Sequence, residues 1–320
     1  MGKVSFLIQC SVVLGISIKR WQIDVVHSVG TAALASSVLG SLGCRPIIAT
    51  FPGLPAESVR TGDPLRVVKT KARGVLRILS LFPRYATVPT KQALGPLVQL
   101  CGKRITGKIR VIANPMDVTK FSPTGRTEQE GGFPRILVVG GLRSRKGVGT
   151  LIQAIPSILP HFPAARVTLV GSGSFAPAIE GLIQNLGVTN SVRWAGEVTD
   201  EQLIEYYEGS DIVVVPSLAG GEAFGYVVAE AMCMKRPVVA SATPGPSEII
   251  RDANCGLLFP PGDPDELAAM ILQISRDENE RRLFGENGRK YAIEHFDSKK
   301  VMKEYQGLYD GAVGRKRVSS

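Results

Sequence analysis

From about residue 131 the sequence alternates short runs of β-branched residues with stretches of helical periodicity. The runs are nearly continuous in apolar residues, which is typical of parallel strands buried on both faces. The predicted strands are Ile136–Gly140, Val167–Gly171, Val192–Gly196, Ile212–Pro216, Pro237–Ala240 and Gly256–Phe259. The predicted helices between them are Gly147–Leu159, Phe175–Leu186, Asp200–Glu208, Phe224–Met234 and Pro246–Asp252. Six strands with five crossovers predict one doubly wound, Rossmann-like α/β domain of about 170 residues.

The C-terminal end adds three predicted helices, which are Asp263–Arg276, Asn279–Glu294 and Ser298–Tyr309. The first of them begins in the sequence GDPDEL, where Asp263 is expected to cap the helix and Pro264 to occupy its first position. The chain ends in the basic sequence GRKRVSS. We interpret this end as a solvated tail, with a membrane or partner patch as the alternative.

The first 120 residues show a shorter α/β pattern. The predicted strands are Ile23–His27, Pro46–Thr50, Tyr85–Val88 and Arg110–Ile112, and the predicted helices are Thr31–Leu42 and Lys91–Cys101. The stretch Phe121–Phe133 is polar, rich in glycine and without periodicity, which indicates a linker. The predicted organisation is therefore a first domain at 1–120, a linker at 121–133, a second domain at 134–297, and a helix with a basic tail at 298–320.

The length of the chain, its net charge and its cysteines restrict the classes of protein and of binding partner that fit the sequence. A chain of 320 residues is long enough for about two domains that each bury a core without disulfides. Lys and Arg number 38 against 28 Asp and Glu, and the net charge of +10 predicts attraction to nucleic acid, an acidic leaflet or a phosphorylated substrate. Aromatic residues make up 6% and no recognition module is present, which disfavours nucleic acid. Five scattered cysteines without a C-x-x-C pair predict a reducing compartment and no metal site.

The apolar run Val4–Ile18 bears on membrane attachment. Its 15 residues are too few for a transmembrane helix, which needs about 20. No A-x-A-like cleavage site follows the run, which disfavours a signal peptide. We interpret it as a buried strand or helix of the first domain, with a membrane-surface anchor as the alternative.

Two carboxylates mark the candidate site, in the sequence LAGGEAFGYVVAEAM that begins at Leu218. Glu222 lies in a glycine-rich loop after a strand, and Glu230 follows eight residues later inside an otherwise apolar helix. A carboxylate in such a helix must be hydrogen-bonded or hold a ligand. Glycines such as Gly225 let backbone approach a ligand, and amides at a helix N-terminus suit a phosphate. Carboxylates also accept hydrogen bonds from sugar and ribose hydroxyls.

This spacing resembles the E-x7-E motif of retaining glycosyltransferases of the GT-B fold, and the C-terminal half of the chain resembles glycosyltransferase family 4. The other segments that carry the resemblance are GGLRSRKGVGTLIQA at 140–154, VTLVGSGS at 167–174, VRWAGEVTDEQLIEYYEGSDIVVVPS at 192–217, and RPVVASATPGPSEII and NCGLLFPPGDPDELA between 236 and 269. The resemblance runs from about Asp24 to Phe296 and is strongest after Val111.

The resemblance implies two Rossmann-like domains that face a cleft, with the nucleotide-sugar donor on the C-terminal domain and the acceptor on the N-terminal one. It implies that Glu222 contacts donor sugar hydroxyls near the reacting carbon and that Glu230 contacts the ribose. Lys146 matches the family lysine on the donor diphosphate. Its charge would stabilise the departing nucleoside diphosphate without a metal, so no cofactor is expected.

Other positions match the family more weakly. Phe224 and Gly225 lie where family members offer backbone amides to the donor. Gly171 follows a strand in a G-x-G sequence, which is expected either to approach phosphate or base or to form a packing turn. His27, in DVVHSVG, matches the first histidine of an H-x-H segment and is assigned to the acceptor side.

The sequence also departs from the family pattern. Gly141 stands where the family has an arginine that grips the diphosphate, and Arg143 or Arg145 is expected to reach the same oxygens. Val29 and Pro52 replace family histidines. Fewer βα units precede the DVVH strand than in the family, so we interpret the N-terminal domain as shortened.

The leading hypothesis is a retaining glycosyltransferase that moves a sugar from a nucleoside diphosphate to a glycan or lipid-linked acceptor in polysaccharide biosynthesis. The basic charge favours a cytoplasmic protein that is peripheral at the inner face of the membrane, where anionic lipid attracts Lys and Arg. The alternative is a non-catalytic nucleotide-sugar-binding subunit whose partner protein completes the N-terminal domain. An NAD-dependent oxidoreductase is disfavoured, because no strand is followed by G-x-G-x-x-G and then an acid about 20 residues later.

Overall fold

The computed structural model describes residues 22–30, 45–52, 83–125, 132–218 and 223–314. The apolar run Val4–Ile18, the predicted helix Thr31–Leu42 and the basic residues 315–320 lie outside this part of the chain. The described strands are β1 (Val26–Val29), β2 (Ile47–Thr50), β3 (Tyr85–Val88), β4 (Ile109–Val111), β5 (Arg135–Val139), β6 (Arg166–Val170), β7 (Val192–Gly196), β8 (Ile212–Val215), β9 (Val238–Ser241) and β10 (Gly256–Phe259). The described α-helices are α1 (Leu94–Cys101), α2 (Val148–Ile158), α3 (Ala176–Asn185), α4 (Asp200–Glu208), α5 (Tyr226–Cys233), α6 (Pro246–Ala253), α7 (Pro264–Arg276), α8 (Glu278–His295) and α9 (Ser298–Val313).

The described residues divide into two compact units. The first comprises those up to Asn114, together with Ala223, Phe224 and residues 299–314. The second comprises the remaining described residues between 115 and 298. No helix in the described ranges is both long enough and apolar enough to span a membrane.

The first unit contains a four-stranded parallel sheet in the order β1-β2-β3-β4. Its buried apolar residues include Ala49, Ala86 and Leu97, which form one cluster with the side of α1. The predicted helix Lys91–Cys101 is split into a 3₁₀ turn over Lys91–Ala93 and the α-helix α1. Pro96 explains the division, because a residue without an N–H group fits only the first turn of an α-helix.

Helix α9 packs in the first unit. Its residues Val301 and Tyr305 are buried against Ile112, which follows β4. The chain therefore returns to the first unit after the second is complete.

The second unit contains a six-stranded parallel sheet in the order β10-β9-β8-β5-β6-β7. This arrangement confirms the doubly wound α/β fold predicted from the alternation of apolar runs and helices. The strands agree with the predicted ones to within one residue at each end. One face carries Ile136, Val138, Val167 and Leu169, which pack with buried residues of α2, α3 and α7. Such close packing explains why the strand sequences are almost continuously apolar.

The predicted linker is less independent than its composition suggests. Among its described residues, Thr124 donates from its backbone N–H to Glu208 Oε1 at 2.7 Å, and the Gly125 N–H donates to the same oxygen at 2.9 Å. Arg289 of α8 donates to the carbonyl of Phe121 at 2.7 Å. The start of the stretch therefore belongs to the second unit, because a buried carboxylate and a guanidinium there take up its backbone groups.

Candidate active site

The order of strands in the second unit defines a crevice. The chain runs outward in opposite directions from β5 and β8, so the loops after these neighbouring strands diverge. In open α/β sheets, ligands bind at this point, outside the carboxyl ends of the strands. A pocket is found there, lined among others by Gly140, Lys146, Pro216, Ser217 and Val227.

The loop after β5 is held tightly against the loop after β8. Gly147 has φ of 66° and follows a 3₁₀ turn over Ser144–Lys146. A Cβ atom at Gly147 would lie 1.8 Å from the carbonyl oxygen of Pro216, so only glycine fits this contact. The N–H of Leu218 donates to the carbonyl of Arg145 at 2.9 Å. The basic segment Arg143–Lys146 is therefore fixed beside the carboxyl ends of the strands.

This segment brings three cations together. Lys146 is half-buried, and burial lowers its pKa to about 8, with further lowering by the charges of Arg145 and Arg143. Arg143 is exposed and Arg145 is half-buried. A bound anion would offset the cost of burying the Lys146 charge and the repulsion among the three cations. The segment therefore suits a phosphate or diphosphate.

Glu230 lies in α5 and is held by a buried tyrosine. The Tyr207 hydroxyl donates to Glu230 Oε2 at 2.7 Å, and Tyr207 itself is fully buried. Burial raises the pKa of Glu230, and the hydrogen bond from Tyr207 opposes part of that change. Because a carboxylate has about four lone-pair positions, Glu230 can accept further hydrogen bonds from ligand hydroxyls.

Tyr207 and Ser217 belong to this site and were not predicted from the sequence. Tyr207 follows Leu203 by four residues and therefore lies on the same face of α4. A buried tyrosine hydroxyl needs a hydrogen-bond partner, and this requirement is the sequence signal that could have paired Tyr207 with Glu230. The Ser217 hydroxyl is buried and has no hydrogen-bond partner among the residues that the structure describes. Only its position directly after a strand, in IVVVPS, marks it in the sequence.

The predicted residues at the start of α5 have different roles. Gly225 is the N-cap with φ of 91°, and a Cβ there would lie 3.0 Å from Pro246 Cγ. Phe224 is 2% exposed, so its ring is not available to a ligand. Any contact of Phe224 with a donor would have to come from its backbone.

Gly171 forms a close backbone contact of the kind that the packing-turn alternative predicts, and its expected contact with the donor stays a prediction. Its φ is 123°, and a Cβ there would lie 2.2 Å from the carbonyl oxygen of Gly140. Its N–H donates to the Gly196 carbonyl at 2.7 Å, and its carbonyl accepts from Trp194 Nε1 at 2.9 Å. The G-x-G sequence therefore lets the loops after β5 and β6 pack backbone against backbone.

His27, assigned to the acceptor side, lies within a network in the first unit. Its Nδ1 is 2.8 Å from the Tyr309 hydroxyl, and its Nε2 is 2.7 Å from Thr50 Oγ1. Burial lowers the pKa of His27, which favours a neutral ring with one donor and one acceptor nitrogen. Both ring nitrogens already have partners, so the described role of His27 is to join α9 to β1 and β2.

Glu222 lies outside the described residues, so its predicted role stays a prediction. The structure describes the chain up to Leu218 and again from Ala223. The carbonyl of Ala223 accepts from Thr90 Oγ1 at 2.9 Å within the first unit. The described ranges contain no group of three or more His, Cys, Asp or Glu residues that could hold a metal ion.

Comparison with known proteins settles the family. The model of the family "Glycosyl transferases group 1" matches residues 125–291, about half of the chain. The chain belongs to this family. An uncharacterized glycosyltransferase of Methanocaldococcus jannaschii is 30% identical over 250 residues, which cover 75% of this chain and 63% of that protein. The chain thus spans less than two thirds of that relative's length.

Two further relatives extend the similarity to both units. A phosphatidyl-myo-inositol mannosyltransferase of Mycobacterium tuberculosis is 28% identical over 314 residues, covering 93% of this chain and 77% of that protein. The crystal structure of Anabaena HepE in complex with UDP superposes with a TM-score of 0.81 at 19% identity, covering 94% of this chain and 82% of that one. The group 1 chain described here therefore has the GT-B architecture of two Rossmann-like units.

Proposed function

We propose that this group 1 glycosyltransferase is a retaining enzyme of glycosyltransferase family 4. It transfers a sugar from a nucleoside diphosphate to a glycan or lipid-linked acceptor in polysaccharide biosynthesis. The observation that carries the proposal is the cationic segment Arg143–Lys146, fixed at the topological switch point of the second unit. The Anabaena protein of the same fold is described in complex with UDP, which supports a nucleoside diphosphate as the carrier of the sugar.

Lys146 is the proposed catalytic cation. When the bond between sugar and phosphate breaks, negative charge accumulates on the departing nucleoside diphosphate. A fixed ammonium group stabilises that charge without reorganisation. Arg143 and Arg145 add to the same field and take the place of the family arginine that Gly141 replaces. The chain thus supplies the charge itself, and we propose that no metal is needed.

The two carboxylates hold the rest of the donor. Glu230, positioned by Tyr207, binds ribose hydroxyls, which would supply hydrogen bonds that burial otherwise denies to its carboxylate. Glu222 binds the hydroxyls of the donor sugar near its reacting carbon. Retention then follows from attack on the same face from which the diphosphate leaves, with the leaving phosphate taking the proton of the acceptor hydroxyl. No protein nucleophile is assigned.

The acceptor is proposed to bind the first unit, on the side of His27. The Mycobacterium tuberculosis relative acts, by its name, on phosphatidyl-myo-inositol, which supports a lipid-linked acceptor and work at the inner face of the cytoplasmic membrane. Membership of a transferase family favours this enzyme over the non-catalytic binding subunit. The replacements Val29 and Pro52 are the observations that the binding subunit would explain.

The proposal is tested by measuring nucleotide release and donor binding with the same protein. The purified chain is offered UDP-, GDP- and ADP-sugars, with and without membrane extract as acceptor, and binding is followed by calorimetry. Variants Lys146→Ala and Glu222→Ala are compared with Arg282→Ala, which replaces an exposed arginine on α8 and is the charge-matched control for Lys146→Ala.

We expect release from one donor class, loss of release in both site variants, and no change in the control. Nuclear magnetic resonance of the anomeric proton in the product then identifies retention or inversion. Tight binding without release from any donor, even with membrane extract, would favour the binding subunit. Absence of binding to every donor would contradict both functions.

A further inference from the structure

The second unit has another basic pocket, which lies at the amino ends of its strands. Lys146 lies at the opposite, carboxyl ends of the strands. Its volume is about 320 Å³, and its lining includes Arg135, Arg166 and Arg193 from three neighbouring strands. This volume is at the lower end of the range for small-molecule sites, which begins near 300 Å³. The last turn of α4 and the residues after it form the other wall, through Glu205, Tyr206 and Ser210.

The strand register explains why the arginines meet. Arg135 on β5 pairs directly with Arg166 on β6, and Arg193 on β7 pairs with Thr168, two residues after Arg166. Residues two apart on a strand point to the same face, and neighbouring strands are about 4.8 Å apart. All three guanidinium groups therefore rise from one face, and this face is opposite the one that carries Ile136 and Val167.

The three arginines differ in how their charge is compensated. Arg135 forms a bidentate salt bridge with Asp211. Its Nε donates to Asp211 Oδ2 at 2.8 Å and its Nη2 to Asp211 Oδ1 at 2.5 Å, and both side chains are 15% exposed. Arg166 donates to the backbone carbonyl of Ala165 at 2.9 Å. Among the described residues, neither Arg166 nor Arg193 forms an ion pair with a carboxylate. The guanidinium groups of Arg166 and Arg193 thus lack a direct carboxylate partner in the described part of the chain, and the nearest negative charge on the pocket wall is that of Glu205.

We propose that this pocket binds a phosphoryl group carried by a small ligand or a lipid headgroup. A phosphoryl group carries a charge between −1 and −2 and three acceptor oxygens, which matches two uncompensated guanidinium forks better than a single carboxylate does. Thr168 adds a hydroxyl donor on the same face. The site lies outside the donor machinery and does not depend on the reaction that the chain catalyses.

Inorganic phosphate is the first probe, followed by line broadening in phosphorus-31 nuclear magnetic resonance at constant ionic strength. The measurement uses the full chain with Lys146→Ala, because this substitution weakens phosphate binding at the carboxyl edge. Arg166→Ala and Arg193→Ala are each added to that background, and Arg282→Ala is the control that also removes one exposed positive charge. Arg166 and Arg193 are exposed, so their substitution is expected to preserve the fold, which thermal unfolding verifies.

We expect each pocket variant to weaken phosphate binding about tenfold or more, since each removes charge-assisted hydrogen bonds. Arg166→Lys and Arg193→Lys should fall between the wild-type and alanine values, because lysine keeps the charge and loses the fork. Glu205→Gln should strengthen binding, because it removes the negative charge on the pocket wall. The control should bind as the background does.

A second arm distinguishes the two sources of the phosphoryl group. The same variants are sedimented with vesicles of phosphatidylglycerol in phosphatidylcholine and with vesicles of phosphatidylcholine alone. Loss of sedimentation with phosphatidylglycerol in the Arg166 and Arg193 variants assigns the site to a lipid headgroup, and loss in the phosphate arm alone assigns it to a soluble ligand. If neither probe distinguishes these variants from the control, the proposal is overturned, and Arg166 and Arg193 are only solvated charges at the amino ends of the strands.

Discussion

Lys146 makes the proposed donor site sensitive to pH. Burial lowers its pKa to about 8, so the unliganded protein loses this charge as the pH rises through 8. We expect the Kd of the nucleoside diphosphate to change little near pH 7 and to rise up to about tenfold per pH unit above pH 8, because one proton is then taken up on binding. Calorimetry in buffers of different ionisation enthalpy measures both the affinity and the proton.

The variant Lys146→Arg provides the comparison for this pH profile. A guanidinium keeps its proton throughout the range from pH 7 to 10, so the dependence there should disappear while binding persists. A profile that is the same in the wild-type protein and in this variant would assign the ionisation to another group.

The Tyr207 hydroxyl should matter for both stability and donor affinity. Tyr207→Phe removes the 2.7 Å hydrogen bond to Glu230 and leaves a half-buried carboxylate with one donor fewer. We expect the free energy of unfolding at pH 7 to fall by about 1–2 kcal/mol and the pKa of Glu230 to rise further. The KM for the donor should increase with little change in kcat, because Glu230 is proposed to hold ribose and not the reacting carbon.

A double-mutant cycle with Glu230→Gln measures this coupling by urea unfolding. A coupling energy near zero would show that the two residues act independently. Tyr206→Phe, on the adjacent residue of the same helix, is the matched control.

At the scale of elements, Gly147 allows the loop after β5 to pack closely against the loop after β8. Gly147→Ala would place a Cβ 1.8 Å from the Pro216 carbonyl oxygen at a φ of 66°. We expect a loss of about 2 kcal/mol or more in unfolding free energy and weaker donor binding, because the basic segment must move. Gly149→Ala, two residues later in α2, meets only side-chain atoms at 3.7 Å or more and should be neutral or slightly stabilising.

The same loop leads to a prediction about metal ions. The segment Arg143–Lys146 supplies three positive charges at the carboxyl edge, which is where a metal would otherwise compensate a diphosphate. Turnover measured in excess EDTA should therefore equal turnover in Mg²⁺ at matched ionic strength. Loss of activity in EDTA that Mg²⁺ or Mn²⁺ restores would contradict this.

The elements that could be predicted well are those formed by interactions between residues close together in the sequence. The strands of the second unit were predicted to within one residue, because each is a local apolar run between turn residues. The capping of α7 by Asp263, which accepts from the N–H groups of Asp265 and Glu266, was equally local. The split of Lys91–Cys101 was missed because helical periodicity says little about where one proline stops regular hydrogen bonding.

At the scale of the whole molecule, the contacts that the sequence could not predict join distant residues. His27 meets Tyr309 across a separation of 282 residues, and nothing near His27 in the sequence indicates that a C-terminal helix will contact its Nδ1 while Thr50 contacts its Nε2. The contacts at the start of the predicted linker are equally remote in sequence, because Glu208 is 84 residues from Thr124. The cationic segment at the donor loop, by contrast, was identified from its local sequence and its resemblance to a family.

The net charge of +10 leads to a prediction for the molecule as a whole. Attraction between basic side chains and an anionic membrane is screened over about 8 Å at 0.15 M salt and about 3 Å at 1 M salt. We expect the chain to sediment with vesicles that contain phosphatidylglycerol at low salt, to be released at about 1 M salt, and not to bind vesicles of phosphatidylcholine alone. Binding that resists high salt would instead indicate apolar insertion, because burial of hydrocarbon is not screened by ions. The sequence offers the run Val4–Ile18 for such insertion, so deletion of that run would then abolish the salt-resistant part and leave the electrostatic part unchanged.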